Sequence, residues 1–268
     1  MRTSEMIETA EATEVSESLE WDLRVQLAAA YRLIHRMGWS ELIWTHTTVR
    51  VPGPEHHFLI NPYGYRFDEV CASNLVKVDM HGSIVDGAPG AEINPAGFVI
   101  HSAIHMTRPD AKCVMHTHTV AGMAVAALEC GLLPISMYAL GYYERVAYHD
   151  FEGPSLDLEE RERLAANLGD KNILILRNHG LLTCGATVAQ AFVRMYRLQR
   201  ACEIQLAAQA TGSKLVVPPK EVCVHSAELS DDFLDPNTAG NKGYSRNPNP
   251  EFTALLRLLD NEDPSYRQ

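Results

Sequence analysis

The sequence predicts an α/β sandwich, in which helices cover one central sheet. Two buried, strand-like apolar runs, Cys113–Thr117 and Ile173–Leu176, are separated by two segments of helical character. The first of these, Val120–Glu129, is rich in small residues, and the second, Leu158–Leu168, is charged and amphipathic. Strands and helices that alternate in this way are typical of a sheet with helices packed on it. A chain of 268 residues is long enough to bury a sizeable core.

The elements outside this region follow from local patterns. Apolar residues recur at helical spacing over Asp22–Met37, and Gly38 is a natural C-cap. A second helix is predicted over residues 94–107, with Asn94 as N-cap and Pro95 at the first position. The remaining predicted elements are the strands Thr47–Val51, Phe58–Ile60, Leu75–Asp79 and Ile84–Asp86, the apolar run Leu181–Cys184 and the long helix Val188–Thr211.

Composition divides the chain into three parts. Residues 1–20 carry evenly spaced glutamates and few apolar side chains, which predicts a disordered acidic tail. Residues 21–212 form the folded domain. Residues 213–268 are rich in proline and asparagine and are predicted to be a C-terminal extension, in which only Phe252–Leu259 can dock as a short helix.

Charge and cysteine content exclude several classes of partner. The formal net charge is −11, which argues against nucleic acid or an anionic membrane as a partner, because both require clustered basic residues. We find no stretch that approaches the roughly 20 apolar residues needed to span a bilayer. The six cysteines form no C-x-x-C pair and several lie in apolar runs, which indicates free thiols in the cytoplasm.

Histidines near the ends of two predicted strands form a candidate metal site. His116 and His118 are two residues apart, so that their side chains point to the same face of a strand. His179 lies just past the end of the other buried strand, beside Gly180. Three imidazole ligands leave coordination positions open, as a catalytic metal site requires. Two other interpretations remain at this point: the pair is accidental in a chain with twelve histidines, and His179 merely caps a loop.

Several separated blocks resemble the class II aldolase/adducin family. They are Gly38-Trp39, Phe58–Gly64, the run from Asn94-Pro95-Ala96-Gly97-Phe98 through Arg108-Pro109-Asp110 to His116-Thr117-His118, Val146–Asp150 and Arg177–Gly180. The resemblance implies a three-layer α/β/α sandwich with a largely antiparallel, nine-stranded sheet. It also implies a homotetramer and one divalent metal ion held by His116, His118 and His179. Zinc is the first expectation, with Fe²⁺, Mn²⁺ and Co²⁺ as alternatives.

The chain departs from the sugar-phosphate aldolases of this family at the substrate site. The family's acid/base carboxylate corresponds to Gly97, and its two phosphate-binding serines correspond to Pro95 and Ala96. A family asparagine corresponds to His46, and a Thr-Gly pair corresponds to Tyr63-Gly64. The resemblance thus implies a substrate-binding set made of His46, Tyr63, Gly64 and Gly97.

These departures change the expected chemistry. Proline has no backbone donor and alanine no hydroxyl, so that a phosphate would lose much of its usual hydrogen bonding. Glycine cannot transfer a proton, and the sequence therefore assigns no catalytic acid or base. The candidates are a metal-bound hydroxide and several side chains, although His101 also fits a purely structural role. The side chains are those of His101, His105, Glu92, Tyr63, Tyr138 and His46.

Three functions remain open from the sequence. The first is a metal-dependent aldolase or lyase that acts on a small, unphosphorylated hydroxy- or keto-carbonyl compound through a metal-stabilised enediolate. The second is an Fe(II)-dependent oxygenase that decarboxylates an aryl keto acid oxidatively. The third is a non-catalytic interaction module like the adducin head domain, which the chain resembles in lacking the carboxylate.

Overall fold

The computed structural model describes residues 2–53, 55–153, 159–234 and 249–268. The eight helices in these ranges are α1 (Arg2–Arg36), α2 (Pro95–Thr107), α3 (Val120–Ala126), α4 (Met137–Leu140), α5 (Glu160–Leu168), α6 (Val188–Ala210), α7 (Lys220–Leu234) and α8 (Pro250–Glu262). The eight strands are β1 (His46–Arg50), β2 (Phe58–Ile60), β3 (Val76–Val78), β4 (Ile84–Asp86), β5 (Cys113–Thr117), β6 (Val146–His149), β7 (Ile173–Leu176) and β8 (Gly180–Gly185).

The strands form one sheet in the order β4-β3-β2-β1-β5-β8-β7-β6. Six of the seven pairings are antiparallel, and only β6 and β7 run parallel. The predicted α/β sandwich with a largely antiparallel sheet is therefore confirmed. The predicted count of nine strands is wrong for the described residues, which contain eight, because the count came from the family and not from patterns in this sequence.

The two faces of the sheet bury different sets of side chains. On β5, Cys113 and Met115 join the larger apolar cluster, which includes residues of α1 and α6. Val114, between them, joins a second cluster with residues of α2 and α5. The alternation follows from the two-residue period of a strand. It makes the sheet the middle layer of three and places His116 on the same face as Val114.

The N-terminal segment differs from its predicted disorder. Helix α1 begins at Arg2 and continues without a break through residues 2–20 of the predicted tail to Arg36. Its second half is anchored by buried residues such as Leu27 and Tyr31. Packing of that half offsets the cost of nucleation, and the glutamate-rich segment before it contains no glycine or proline that would interrupt the helix.

The described parts of the C-terminal extension, residues 213–234 and 249–268, contain more helix than predicted. Helix α8 confirms the predicted docking of residues 252–259, because Phe252 and Leu259 are buried. A short 3₁₀ helix, Pro264–Arg267, follows and buries Tyr266 completely. Helix α7 was not predicted. No helix in the described ranges is both long and apolar enough to cross a membrane.

Candidate metal centre

The end of β5 presents two histidines to one point. His116 is buried on β5. His118 is the first residue after the end of this strand, and its side chain is 20% exposed. The two Nε2 atoms are 2.8 Å apart. The Nδ1 atom of His116 lies 2.9 Å from the carbonyl oxygen of Leu181, on the neighbouring strand β8. The sheet itself therefore fixes the direction of the His116 ring.

The turn between β7 and β8 supplies the third histidine. His179 donates its backbone N–H to Leu176 O at 3.1 Å, and Asn178 before it has a left-handed φ of +55°. The ring centroid of His179 is 4.8 Å from those of His116 and His118. A Cβ atom on Gly180 would lie 2.5 Å from the Thr117 carbonyl oxygen. Glycine at this position therefore lets the turn approach the other two rings.

The three histidines offer a donor set that fits a divalent metal ion. Their ligand atoms all lie within 4.8 Å of one another. Nδ1 of His118 lies 2.6 Å from the Glu41 carboxylate, and Nδ1 of His116 faces a carbonyl oxygen. Because both partners can only accept hydrogen bonds, each Nδ1 carries the proton. Each Nε2 then presents a lone pair, and two lone pairs 2.8 Å apart are compatible when a cation binds both.

Burial keeps the rings of His116 and His179 neutral, as metal binding requires. Desolvation, with His179 and His118 nearby, holds the pKa of His116 well below its usual range. Burial likewise lowers the pKa of His179 to about 4. His118 and His179 are only partly buried, so that solvent reaches two of the three residues.

Glu41 is a residue of this centre that the sequence analysis missed. It lies in the loop that precedes β1, and its carboxylate is about half exposed. Patterns between residues that are close in the sequence do not reveal its contact with His118, which lies 77 residues away.

His46 and Gly97 share one space beside the centre. His46 is buried at the start of β1, and its ring centroid is 5.9 Å from that of His116. A Cβ atom on Gly97, in the first turn of α2, would overlap the His46 ring. The imidazole therefore occupies the volume that any side chain at position 97 would need.

Comparison with known proteins agrees with this architecture. Residues 25–206 match the family model for the class II aldolase and adducin N-terminal domain. The chain belongs to the class II aldolase/adducin family. It is 48% identical over 93% of its length to a Pseudomonas aeruginosa protein provisionally named an aldolase class 2 protein, of which 93% is covered. It is 45% identical to rat alpha-adducin over 92% of the chain, which spans 35% of that relative.

Two solved structures of related proteins are closely similar to the structure of this chain. An aldolase II superfamily protein from Pseudomonas syringae is 50% identical, with a TM-score of 0.86 over 93% of this chain and 96% of that one. An L-fuculose 1-phosphate aldolase from Glaciozyma antarctica is 29% identical, with a TM-score of 0.79 over 94% of both chains.

The structure brings some of the family-derived substrate residues together. His46 and Gly97 are in contact beside the histidines. Tyr63 lies farther out, with its ring centroid 6.0 Å from that of Trp44 in the Glu41 loop. Gly64 has a φ of +90° and open space at its Cβ position, so that backbone conformation accounts for glycine there. Substrate binding by these residues stays a prediction.

A buried row of polar side chains leads away from His46. The His101 ring centroid is 4.1 Å from that of His46. Thr48 Oγ1 lies 2.7 Å from both His101 Nδ1 and His105 Nε2, and His105 Nδ1 lies 3.1 Å from Ala111 O. His101 therefore has a structural partner in Thr48. Its Nε2 atom and both nitrogens of His46 make no hydrogen bond of good geometry.

His105 predicts a pH dependence of stability. Burial, with Arg50 nearby, lowers the pKa of His105 from 6.5 to about 3 in the folded chain. Between these values the unfolded chain binds a proton that the folded chain does not, so that the free energy of unfolding falls as the pH falls. We expect His105→Gln to make the free energy of unfolding less dependent on pH, by at most about 1.4 kcal/mol per pH unit.

Urea unfolding of the metal-free protein at pH 7, 6 and 5 measures this slope. The exposed His225, replaced by Gln, is the matched control and is expected to keep the wild-type slope. An unchanged slope in His105→Gln would contradict the assignment.

Proposed function

We propose that this protein is a divalent-metal-dependent enzyme of the lyase type, which breaks or forms a carbon–carbon bond in a small, unphosphorylated hydroxy- or keto-carbonyl compound. The observation that carries the proposal is the set of three imidazoles, two of which are oriented by second hydrogen bonds and two of which are only partly buried. His116, His118 and His179 would hold the ion. Structural zinc sites are usually closed by four protein ligands, whereas catalytic sites keep a position open.

The bound ion would supply a Lewis acid that polarises a substrate carbonyl and stabilises the negative charge that develops on its oxygen. Zinc is the ion we propose first, and Fe²⁺, Mn²⁺ and Co²⁺ suit the same donors. His46, whose pKa burial lowers to about 3, is neutral at pH 7, and its buried ring lies beside the centre with no hydrogen bond of good geometry. We assign it a hydrogen bond to a substrate hydroxyl, from a ring that fills the volume left by the missing side chain of Gly97.

The absence of a phosphate on the substrate is supported by the residues that begin α2. Pro95 lacks a backbone donor and Ala96 lacks a hydroxyl. The Glu41 carboxylate at the centre adds a negative charge, which repels a phosphate dianion. The aldolase from Glaciozyma antarctica is named for a phosphorylated sugar, so that substrate preference is a point on which the two proteins are expected to differ.

Assembly and location complete the proposal. Membership of the family supports a homotetramer, which light scattering on the purified protein tests. All six cysteines are free, which supports a place in the cytoplasm, where thiols remain reduced. Neither nucleic acid nor membrane is proposed as a partner, since the net charge is −11.

The test is turnover of matched substrate pairs. Protein purified without oxygen is loaded with Zn²⁺, Mn²⁺, Co²⁺ or Fe²⁺ and offered small hydroxy- and keto-carbonyl compounds with and without a phosphate ester. Cleavage of the unphosphorylated member, without oxygen uptake, supports the proposal. Oxygen uptake with Fe²⁺ alone would replace it by an oxygenase. Metal binding without turnover would favour a binding module, a candidate favoured by the 45% identity with rat alpha-adducin.

A further inference from the structure

We propose that Glu41 is a positioning residue for His118 and that this contact sets the affinity of the centre for its metal ion. The inference rests on the proposed metal site and extends it to a residue outside the three ligands. A carboxylate that receives the second ring N–H of a metal-binding histidine fixes its tautomer and orientation and raises its basicity.

The two ligands of β5 are oriented by different means. His116 Nδ1 faces the backbone carbonyl of Leu181 at 2.9 Å, in the neighbouring strand. His118 lies past the end of β5, where the ladder between β5 and β8 has ended. Its Nδ1 atom instead faces Glu41 Oε2 at 2.6 Å. A side chain, and not the sheet, therefore determines which nitrogen of His118 carries the proton.

The loop that holds Glu41 has an unfavourable backbone conformation. Leu42 and Thr45 have φ values of +50° and +67°, in the left-handed region that residues with side chains rarely adopt. Trp44 donates its backbone N–H to the Glu41 carbonyl oxygen at 2.8 Å and closes the turn. Such conformations persist where surrounding contacts hold them, and they concentrate at functional sites. The turn brings the Glu41 carboxylate to His118 just before the chain enters β1.

The charge of Glu41 has a second effect. The Glu41 carboxylate contacts the ring of a metal ligand, His118. The side chain of His118 is 20% exposed and that of Glu41 is 47% exposed. A negative charge beside the ring favours cation binding at the opposite nitrogen. An amide in its place keeps a hydrogen-bond acceptor and loses the charge, so that Glu41→Gln separates orientation from charge.

The experiment measures metal affinity in the full chain. Dissociation constants for Zn²⁺ and Co²⁺ are obtained by competition with a chelator, and the visible absorption of bound Co²⁺ reports the ligand geometry. We expect Glu41→Ala to weaken binding about 10- to 100-fold and to alter the Co²⁺ spectrum. Glu41→Gln is expected to lose less affinity and to keep the spectrum. Equal losses in both variants would overturn the positioning role, because they would assign the whole effect to charge.

Replacement of the exposed Glu228 on α7 by Ala is the matched control, with wild-type affinity expected. Unfolding temperatures of the metal-free proteins show whether the folds are equal. A dissociation constant of Glu41→Ala within twofold of wild type overturns the inference and leaves the proposed function standing. Tight, Glu41-dependent binding without turnover overturns the proposed function and leaves the inference. A wild-type protein that binds none of the ions overturns both.

Discussion

Replacement of His116 and His118 together by Ala is expected to remove a stoichiometric metal ion from the protein. The wild type, purified without oxygen and without a His-tag, should contain about one ion per chain, since three imidazoles suffice for a catalytic site. The double variant should contain none, because His179 alone remains. Elemental analysis measures both values and identifies the ion, with zinc or manganese favouring the lyase and iron the oxygenase.

The exposed His225, replaced by Ala, is the control for the general loss of a histidine. Stability provides a second readout, because an ion that binds only the folded chain raises the free energy of unfolding by about 2.7 kcal/mol at a hundred times its dissociation constant. Added metal should thus raise the unfolding temperature of the wild type and of His225→Ala, and leave the double variant unchanged. Equal metal content in all three proteins would refute the assigned ligands.

The second large effect is expected from a single methyl group. Gly97→Ala places a Cβ atom inside the volume of the His46 ring. The ring is buried against His101 and cannot move into solvent, so that the substitution overpacks the site. We expect a loss of about 1–3 kcal/mol in the free energy of unfolding, measured in urea.

A double-mutant cycle identifies the cause of this loss. His46→Ala removes the ring that the new methyl group meets, so that Gly97→Ala should cost little when it is made in that variant. Gly87→Ala is the matched control, because an added Cβ there would make ordinary contacts of 3.4 Å or more. A cost for Gly97→Ala that is the same with and without the His46 ring would show that backbone conformation, and not the ring, causes it.

The sequence predicted the fold well where apolar runs are bounded by turn signals. The bounds of β5 and β7 coincide with the predicted Cys113–Thr117 and Ile173–Leu176, because both runs are buried and have sharp ends. The start of α1 was not predictable from composition, since a glutamate-rich segment becomes helical when a packed helix extends into it. The periodicity of α7 was masked by the polar composition of its surroundings.

The metal centre could be predicted where its residues lie close together in the sequence. The two-residue spacing of His116 and His118 places them on one face, and the structure brings His179 to them. The contact of Glu41 was not predictable, because it depends on left-handed residues that are not glycine. The sequence showed the differences from the aldolases at positions 46 and 97 as two separate substitutions. The structure shows that they are linked, because the His46 ring fills the volume that a side chain at position 97 would need.

The position of β8 in the sheet has a consequence for biosynthesis. It is the last of the eight described strands to leave the ribosome, yet it lies between β5 and β7. Until residues 180–185 emerge, the nascent chain has two apolar strands with open edges, which invite pairing with other chains. The strand that closes these edges also follows His179 directly. Protection from aggregation and competence to load metal are therefore acquired together, late in translation, and chains truncated before residue 179 should lack both.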